Sequence, residues 1–213
     1  MAKVNRAEEE YYSQLYDFVK RAVDIIISLA CIILLSPLFV ICAAAIKLES
    51  EGPFIFSQTR VGKDGKGFIF YKFRTMDEGA DKLKRKLRYL SDIDGPVFKI
   101  KEDPRVTGVG RILRRSSMDE LPQFFNVLWG DMSLVGPRPA LPDEVKKYTG
   151  RQKKRLAVKP GLTGLWQVSG RNDISFSEWI ELELYYIEHR TLLLDLKILL
   201  KTLPVVLSAK GAY

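Results

Sequence analysis

The chain has 213 residues, 46 % of them hydrophobic, with 34 Lys+Arg against 26 Asp+Glu and a formal net charge of +8. That length suits one domain with a real core, and the basic balance favours anionic partners: nucleic acid, acidic headgroups or phosphorylated substrates. Both cysteines, Cys31 and Cys42, lie inside an apolar run, which excludes a disulfide framework or thiolate metal site and leaves them to packing or lipid contact. A single histidine, His189, argues against a triad, zinc site or histidine relay, so acid–base or nucleophilic work falls to carboxylates.

Residues 1–24 approach as an amphipathic helix, with Tyr11, Leu15, Phe18, Val19 and Ala22 at helical spacing and Lys20 and Arg21 placed to meet headgroups. Residues 25–46 follow without a charge, long enough as a helix to cross a core of about 30 Å. Ser36-Pro37 breaks this segment near its middle, because Pro37 lacks a backbone donor and disfavours helix at Ser36. Basic residues flank both ends: Arg6, Lys20 and Arg21 before, and Lys47, Arg60, Lys63 and Lys66 after. The positive-inside rule is then met only if both ends are cytoplasmic, which predicts a re-entrant helix–break–helix. A Pro-kinked spanning helix is the plain alternative. A signal peptide with its small residues at Ala43 and Ala45 is the third, although the apolar stretch is too long for it and Glu8-Glu9-Glu10 stands upstream.

Residues 47–213 form the remaining part, with no internal repeat and no linker long enough to divide it. Phe54-Ile55-Phe56 and residues 68–74 predict two short strands around the hairpin turn Lys63-Asp64-Gly65-Lys66-Gly67, which is no P-loop. Residues 77–90 predict a charged, solvated helix with an Asp81–Arg85 pair. A leucine stripe (192, 193, 196, 199, 200 and 203) closes the chain, with Lys197 and Lys201 off it; packing on the core and interfacial docking both fit. The fold class is α+β, predominantly helical with a small β-hairpin.

The chemistry concentrates in residues 103–138, where all five basic residues are arginines, suited to bidentate phosphate binding. A helix puts Arg111, Arg114 and Arg115 on one face, either for phosphate or as a salt-bridged or headgroup-binding surface. Next comes Ser116-Ser117-Met118-Asp119-Glu120-Leu121-Pro122, in which either Ser117 caps a helix with Glu120 or Pro122 opens it. Two carboxylates at a helix start often serve as caps; beside arginines they also suit metal-assisted phosphoryl transfer, one attacking phosphorus or holding Mg²⁺. Val135-Gly136-Pro137-Arg138-Pro139 fixes one guanidinium between prolines, and residues 159–172 form a glycine-punctuated loop with Gln167 and Arg171 that could cradle a nucleotide.

Lys20-Arg21 before the Ser36-Pro37 break, Lys72-Phe73-Arg74-Thr75-Met76, the SMDELPQ run at 117–123, the Pro137-Arg138-Pro139 loop and PGLTGLWQVSGRN at 160–172 together resemble the bacterial sugar transferases. These are the monotopic polyprenyl-phosphate sugar-1-phosphate transferases, or phosphoglycosyl transferases, and the likeness to their short form runs from about residue 20 to residue 203. The resemblance implies an enzyme of the bacterial inner membrane, its catalytic domain facing the cytoplasm, with Mg²⁺ as cofactor and Mn²⁺ able to substitute. It implies transfer of a sugar phosphate from a UDP-sugar to undecaprenyl phosphate, releasing UMP, as the first membrane step of exopolysaccharide, capsule, O-antigen or glycoprotein glycan assembly.

By the same resemblance Asp119 matches the nucleophile that forms a covalent phosphosugar intermediate, and Glu120 acts as base or metal ligand beside it. Arg114, Arg138, Gln167 and Arg171 match phosphate or nucleotide contacts, supported by Lys72 and Arg74. The expected partners are the UDP-sugar, undecaprenyl phosphate, the membrane and downstream glycosyltransferases, with room for a homodimer and no nucleic acid. Glu183 stands where relatives usually carry aspartate, and Glu188-His189-Arg190-Thr191 replaces a stretch that usually contains Asn-Trp-Ser. The competing reading is a non-enzymatic polybasic adaptor on acidic lipids, which gives no reason for arginines around an acid pair. A membrane-tethered nucleic-acid binder comes third, supported by no recognition motif.

Overall fold

The computed structural model describes residues 2–77, 79, 80, 83, 96, 97, 100, 103–170 and 174–208, the side chains of residues 2–12 and 207 excepted. The expected Asp81–Arg85 helix pair and Arg171 lie outside the described residues. Within them the chain is a mostly helical α+β structure with a small antiparallel hairpin.

Helix α1 (Ala2–Leu34) runs unbroken past residue 24, and α2 (Ser36–Glu49) leaves it at a 60° bend. The bend falls at the proline. Leu35 N still donates to Cys31 O and Phe39 N to Leu35 O, while Ser36 Oγ donates to Ile33 O at 2.8 Å, leaving Pro37 as the interruption in the ladder. No single helix among the described residues is long and apolar enough to cross a membrane; the bent pair passes that test together. Around the bend it exposes large apolar residues, including Ile26, Ile33, Leu34, Val40, Ile41 and Leu48, with Lys47 and Glu49 exposed at its far end. Cys42 and Ile46 face the other way and pack on Phe73 and Leu113, so Cys42 is a core residue.

The helix α1 meets the rest of the chain through a polar seam. Tyr16 Oη and Lys20 Nζ donate to Asp195 Oδ2 at 2.9 and 2.7 Å. Arg21 donates to Val127 O and Leu128 O at 2.6 and 2.7 Å, and Asp24 accepts from Leu134 N at 2.9 Å and from Ser133 Oγ at 3.1 Å. This corrects the headgroup expectation for Lys20 and Arg21. A basic pair before an apolar segment looks lipid-bound in sequence, but here protein acceptors from residues more than a hundred positions away take both side chains.

Strands β1 (Ile55–Val61) and β2 (Gly67–Phe73) pair antiparallel from Ile55↔Phe73 to Val61↔Gly67. Positive φ at Asp64 and Gly65 makes the expected turn. Helix α3 (Gly108–Arg115) begins at Thr107, whose side chain accepts from Gly110 N at 2.9 Å. Helix α4 (Gln123–Trp129) leads to β3 (Ser133–Val135), then to the short helices α5 (Pro142–Val145) and α6 (Gly150–Lys153). Strand β4 (Gly161–Thr163) pairs parallel with β3, a second two-stranded sheet not expected from sequence; three-residue strands carry too little alternation to show.

Helices α7 (Leu165–Ser169), α8 (Phe176–His189) and α9 (Leu192–Leu207) complete the fold. Phe70, Val127, Met132, Leu134, Val135, Tyr186 and Ile198 form a core where hairpin, α4, β3 and α9 meet. A second core around Tyr148, Trp166, Phe176 and Trp179 lies under α7 and α8. The last helix packs on the core through Asp195 and Ile198, which are buried, and leaves Leu192, Leu193, Leu196, Leu200 and Leu203 exposed.

Candidate active site

The hairpin supplies the floor. Alternation along β2 puts Phe68, Phe70 and Lys72 on one face, and the register adds Arg60 from β1, opposite Phe68. Lys72 Nζ reaches Asp119 Oδ2 at 3.2 Å and Glu120 Oε1 at 3.1 Å. Asn126, fully buried on α4, holds this arrangement in register: its Nδ2 donates to Ile69 O at 2.6 Å and its Oδ1 accepts from Tyr71 N at 3.1 Å. The helix after the acid pair is thereby bonded to the strand that carries the lysine.

The acid pair sits on a 3₁₀ turn, Met118–Glu120, entered through Ser117 at φ 57°. A left-handed serine costs about 1–2 kcal/mol, and it reverses the chain between α3 and the turn. Neither sequence expectation for a helix start holds fully: Ser117 makes no side-chain cap, and Pro122 precedes α4 as its N-cap. The reversal carries Asp119 inward, to 6 % exposure, and leaves Glu120 half-buried. Arg114 alone of the α3 arginines joins them, its Nε donating to Thr75 Oγ1 at 3.0 Å, while Arg111 and Arg115 are exposed. The predicted single arginine face is therefore divided.

Burial pushes the Asp119 carboxyl above its ordinary range; Lys72 opposes this, Glu120 adds to it, and Arg114 opposes it more weakly. Among the described residues, the only hydrogen bond to the Asp119 carboxylate comes from Lys72. No group of three or more His, Cys, Asp or Glu suited to a metal occurs among them. Two adjacent carboxylates still fit Mg²⁺, which commonly takes one or two protein oxygens and completes its shell with substrate phosphate and water.

Arg138 borders the site from a tightly built loop. Gly136 N donates to Thr163 O at 2.9 Å and Gly161 N to Pro137 O at 2.8 Å, with the two glycines so close that a Cβ on either would strike backbone. Glu183 Oε1 accepts from Arg138 N at 2.7 Å and from Trp179 Nε1 at 2.8 Å, and its Oε2 pairs with Arg155 at 2.6 Å. The Arg138 guanidinium lies over the Trp179 ring, 5.4 Å from its centroid. At the hairpin's end Val61 N donates to Ala140 O at 2.9 Å and Arg60 Nη1 to Pro139 O at 3.0 Å, so floor and loop are joined.

Residues 15–209 match the family described as bacterial sugar transferase. The chain belongs to the bacterial sugar transferase family. The transferase is 45 % identical over 204 residues to the galactosyl transferase CpsE of Streptococcus agalactiae. It is 44 % identical over 200 residues to the undecaprenyl-phosphate galactose phosphotransferase of Salmonella typhimurium. These alignments cover 95 % and 92 % of this chain but only 45 % and 42 % of the relatives, so the chain spans less than half their length. The exopolysaccharide production protein ExoY of Rhizobium meliloti, 39 % identical over 201 residues, is covered to 88 %.

Within the transferase, Asp119, Glu120, Lys72 and Arg114 come together as a site, with Arg138 on the adjoining loop. Arg74 does not join them. Its Nη1 donates to Glu51 O, and its Nη2 to Ser50 O at 2.9 Å and Ser50 Oγ at 3.0 Å, so it holds the carbonyl end of α2 against the hairpin. Gln167 donates to Leu162 O at 3.3 Å and braces its own loop. Sequence reasoning passed over Arg60 and Asn126; for Asn126 the signal was a lone amide within the apolar run Phe124-Phe125-Asn126-Val127-Leu128.

Proposed function

We propose that this transferase moves a hexose-1-phosphate from a UDP-sugar to undecaprenyl phosphate through a covalent intermediate on Asp119. The observation that carries the reading is a buried carboxylate bonded, among the described residues, to Lys72 alone, with Glu120 and Arg114 beside it. An Asp119 oxygen attacks the phosphorus next to the sugar, the bond from that phosphorus to the bridging oxygen breaks, and UMP departs with the electron pair. An oxygen of the lipid phosphate then attacks the same phosphorus, releasing Asp119 and leaving a lipid diphosphate sugar. Lys72 and Arg114 offset charge on the phosphate oxygens as it develops. Mg²⁺, held by Asp119 and Glu120, would supply further neutralisation of the donor diphosphate.

The family and the relatives named for undecaprenyl-phosphate galactose phosphotransfer support this reading. The bent helix pair and the exposed leucines of α9 support a monotopic seating at the cytoplasmic face of the inner membrane, with the acid pair at the interface. A lipid-binding adaptor gives no reason for a buried, singly bonded carboxylate, and Lys20 and Arg21, two cations it needs, are bonded within the chain. The test is UMP release across UDP-galactose, UDP-glucose and UDP-N-acetylhexosamines, with and without Mg²⁺. Release that requires the metal, with labelled sugar phosphate trapped on the protein when acceptor is omitted, is expected. No release for any donor would overturn the proposal.

A further inference from the structure

Four arginines are buried among the described residues, and three have obvious structural employment. Arg105 forms an ion pair with Asp103 at 2.5 Å, and Arg155 pairs with Glu183 at 2.6 Å and donates to Tyr148 Oη at 2.6 Å. Arg74 donates to three oxygens at the end of α2. Arg60 differs. At 8 % exposure, and among the described residues, its one side-chain hydrogen bond goes to Pro139 O, its buried Nε has no partner, and no carboxylate lies within ion-pair distance.

A buried, half-satisfied guanidinium is costly unless something completes it. The fold increases that cost by placing a second cation nearby. Arg138 acts on Arg60 as a like charge, and burial together with that repulsion pushes Arg60 down to about 9, still cationic near neutral pH. Among the described residues no carboxylate pairs with the Arg138 guanidinium either; its backbone N–H is what bonds to Glu183. The Pro139 bond aligns Arg60 with the Arg138 loop. On its other side Arg60 lies 5.2 Å from the centroid of Phe70, the same ring that has Lys72 Nζ at 5.8 Å. Arg60 thus stands between the loop and the lysine that holds Asp119 and Glu120.

We infer that Arg60 and Arg138 form a second anion subsite, which takes a phosphate other than the one under attack at Asp119. Building on the proposed transfer reaction, two such phosphates exist: the uridine-side phosphate of the donor, which leaves as UMP, and the phosphate of the lipid acceptor. Both present non-bridging oxygens to guanidinium donors, and Arg60 offers Nη2, which makes no hydrogen bond among the described residues, to either. A bound oxyanion supplies the missing acceptor and relieves the repulsion between the two cations.

The test separates binding from turnover. UMP and inorganic pyrophosphate should raise the unfolding temperature of the wild-type protein and of Asp119→Asn, because the subsite does not include that carboxylate. Arg60→Lys, which keeps the charge and loses the fork, and Arg60→Met should weaken UMP or pyrophosphate affinity by roughly 10-fold or more, as loss of a charged hydrogen bond predicts. Pre-steady-state labelling assigns the phosphate: a raised donor concentration dependence of enzyme labelling identifies the uridine side, and slowed discharge to the lipid identifies the acceptor. Unchanged anion affinity in a folded Arg60→Lys protein, or no stabilisation of the wild type by either anion, overturns the inference. Wild-type UMP release tests the transfer reaction separately, so failure of one is not mistaken for failure of the other.

Discussion

Asp119 and Glu183 are both buried acids, and burial pushes both upward from the ordinary carboxylate range. Their bonding separates them. Glu183 takes an indole N–H and a backbone N–H on Oε1, and its Oε2 stands against the Arg155 guanidinium at 2.6 Å as an ion pair, contacts that bind α8 to the Arg138 loop and to Arg155. Asp119 takes one ammonium at 3.2 Å, and that ammonium is shared with Glu120. A carboxylate held by two N–H donors and a buried guanidinium is fixed in place and a poor nucleophile. One that is buried and under-bonded keeps lone pairs for an incoming phosphorus or metal. Burial alone does not mark the reacting acid; burial without saturation does.

The largest effect should come from removing the under-bonded acid. Asp119→Asn should lower UMP release by at least about 10³-fold, the scale on which loss of a nucleophile acts, and should abolish trapping of labelled sugar phosphate. Its circular dichroism and unfolding temperature should stay near wild type, since only one hydrogen bond is altered. Full turnover in this variant would remove Asp119 from the role of nucleophile. Glu183→Ala should do the reverse, costing about 3–5 kcal/mol of stability because Arg155 is left buried and unpaired. Denaturant unfolding checks it; an unchanged midpoint would mean that the saturated acid is not scaffold.

A smaller effect tests what tunes Asp119. Its carboxyl lies above the ordinary 3.8 through burial, with Lys72 the main opposing influence. Activity needs the ionised form, so kcat/KM should rise with pH through this raised value. Stability has the opposite sign: the contribution of protonated Asp119 is full below 3.8 and is lost as pH rises through the folded-state value. Lys72→Met removes the chief opponent, so the acid limb of the pH–rate profile should move to higher pH. An unmoved limb would show that Lys72 is not the counter-ion of the nucleophile.

These contrasts were unevenly legible in the sequence. The helix break, the hairpin and the acid pair were readable because each rests on local chemistry: a missing N–H at Pro37, turn residues at 63–67, and adjacent carboxylates. Placement of the basic residues was not. Lys20 meets Asp195 from the far end of the chain, and Arg74 finds carbonyls at the end of α2, pairings that no local pattern encodes. Arg60 becomes visible only once the register sets it opposite Phe68, on the face that carries Lys72. For Glu183 the sequence showed a departure from the usual aspartate, but not the three groups that hold it. At residues 188–191 the other departure is used within the fold: Arg190 pairs with the distant Asp17 at 3.0 Å, and Thr191 caps α9.

A third acid extends the comparison to its smallest expected effect. Asp195 is buried on α9 and accepts from Tyr16 Oη at 2.9 Å, Lys20 Nζ at 2.7 Å and Tyr186 Oη at 2.7 Å. By saturation it belongs with Glu183, although it lies on the seam that holds α1. Tyr186 Oη also lies 3.2 Å from Val135 O, so the seam touches the strand that enters the Arg138 loop. Asp195→Asn keeps an acceptor for one tyrosine and removes the partner charge of Lys20, whose side chain retains 15 % exposure. The loss should therefore be modest, about 1–3 kcal/mol, with UMP release from the folded protein staying within about twofold of wild type, as expected for an acid that touches no reacting atom. Thermal unfolding and turnover measured on the same preparation decide it. A stable variant with turnover as low as that of Asp119→Asn would show that saturated bonding does not distinguish scaffold acids from reacting ones in this fold.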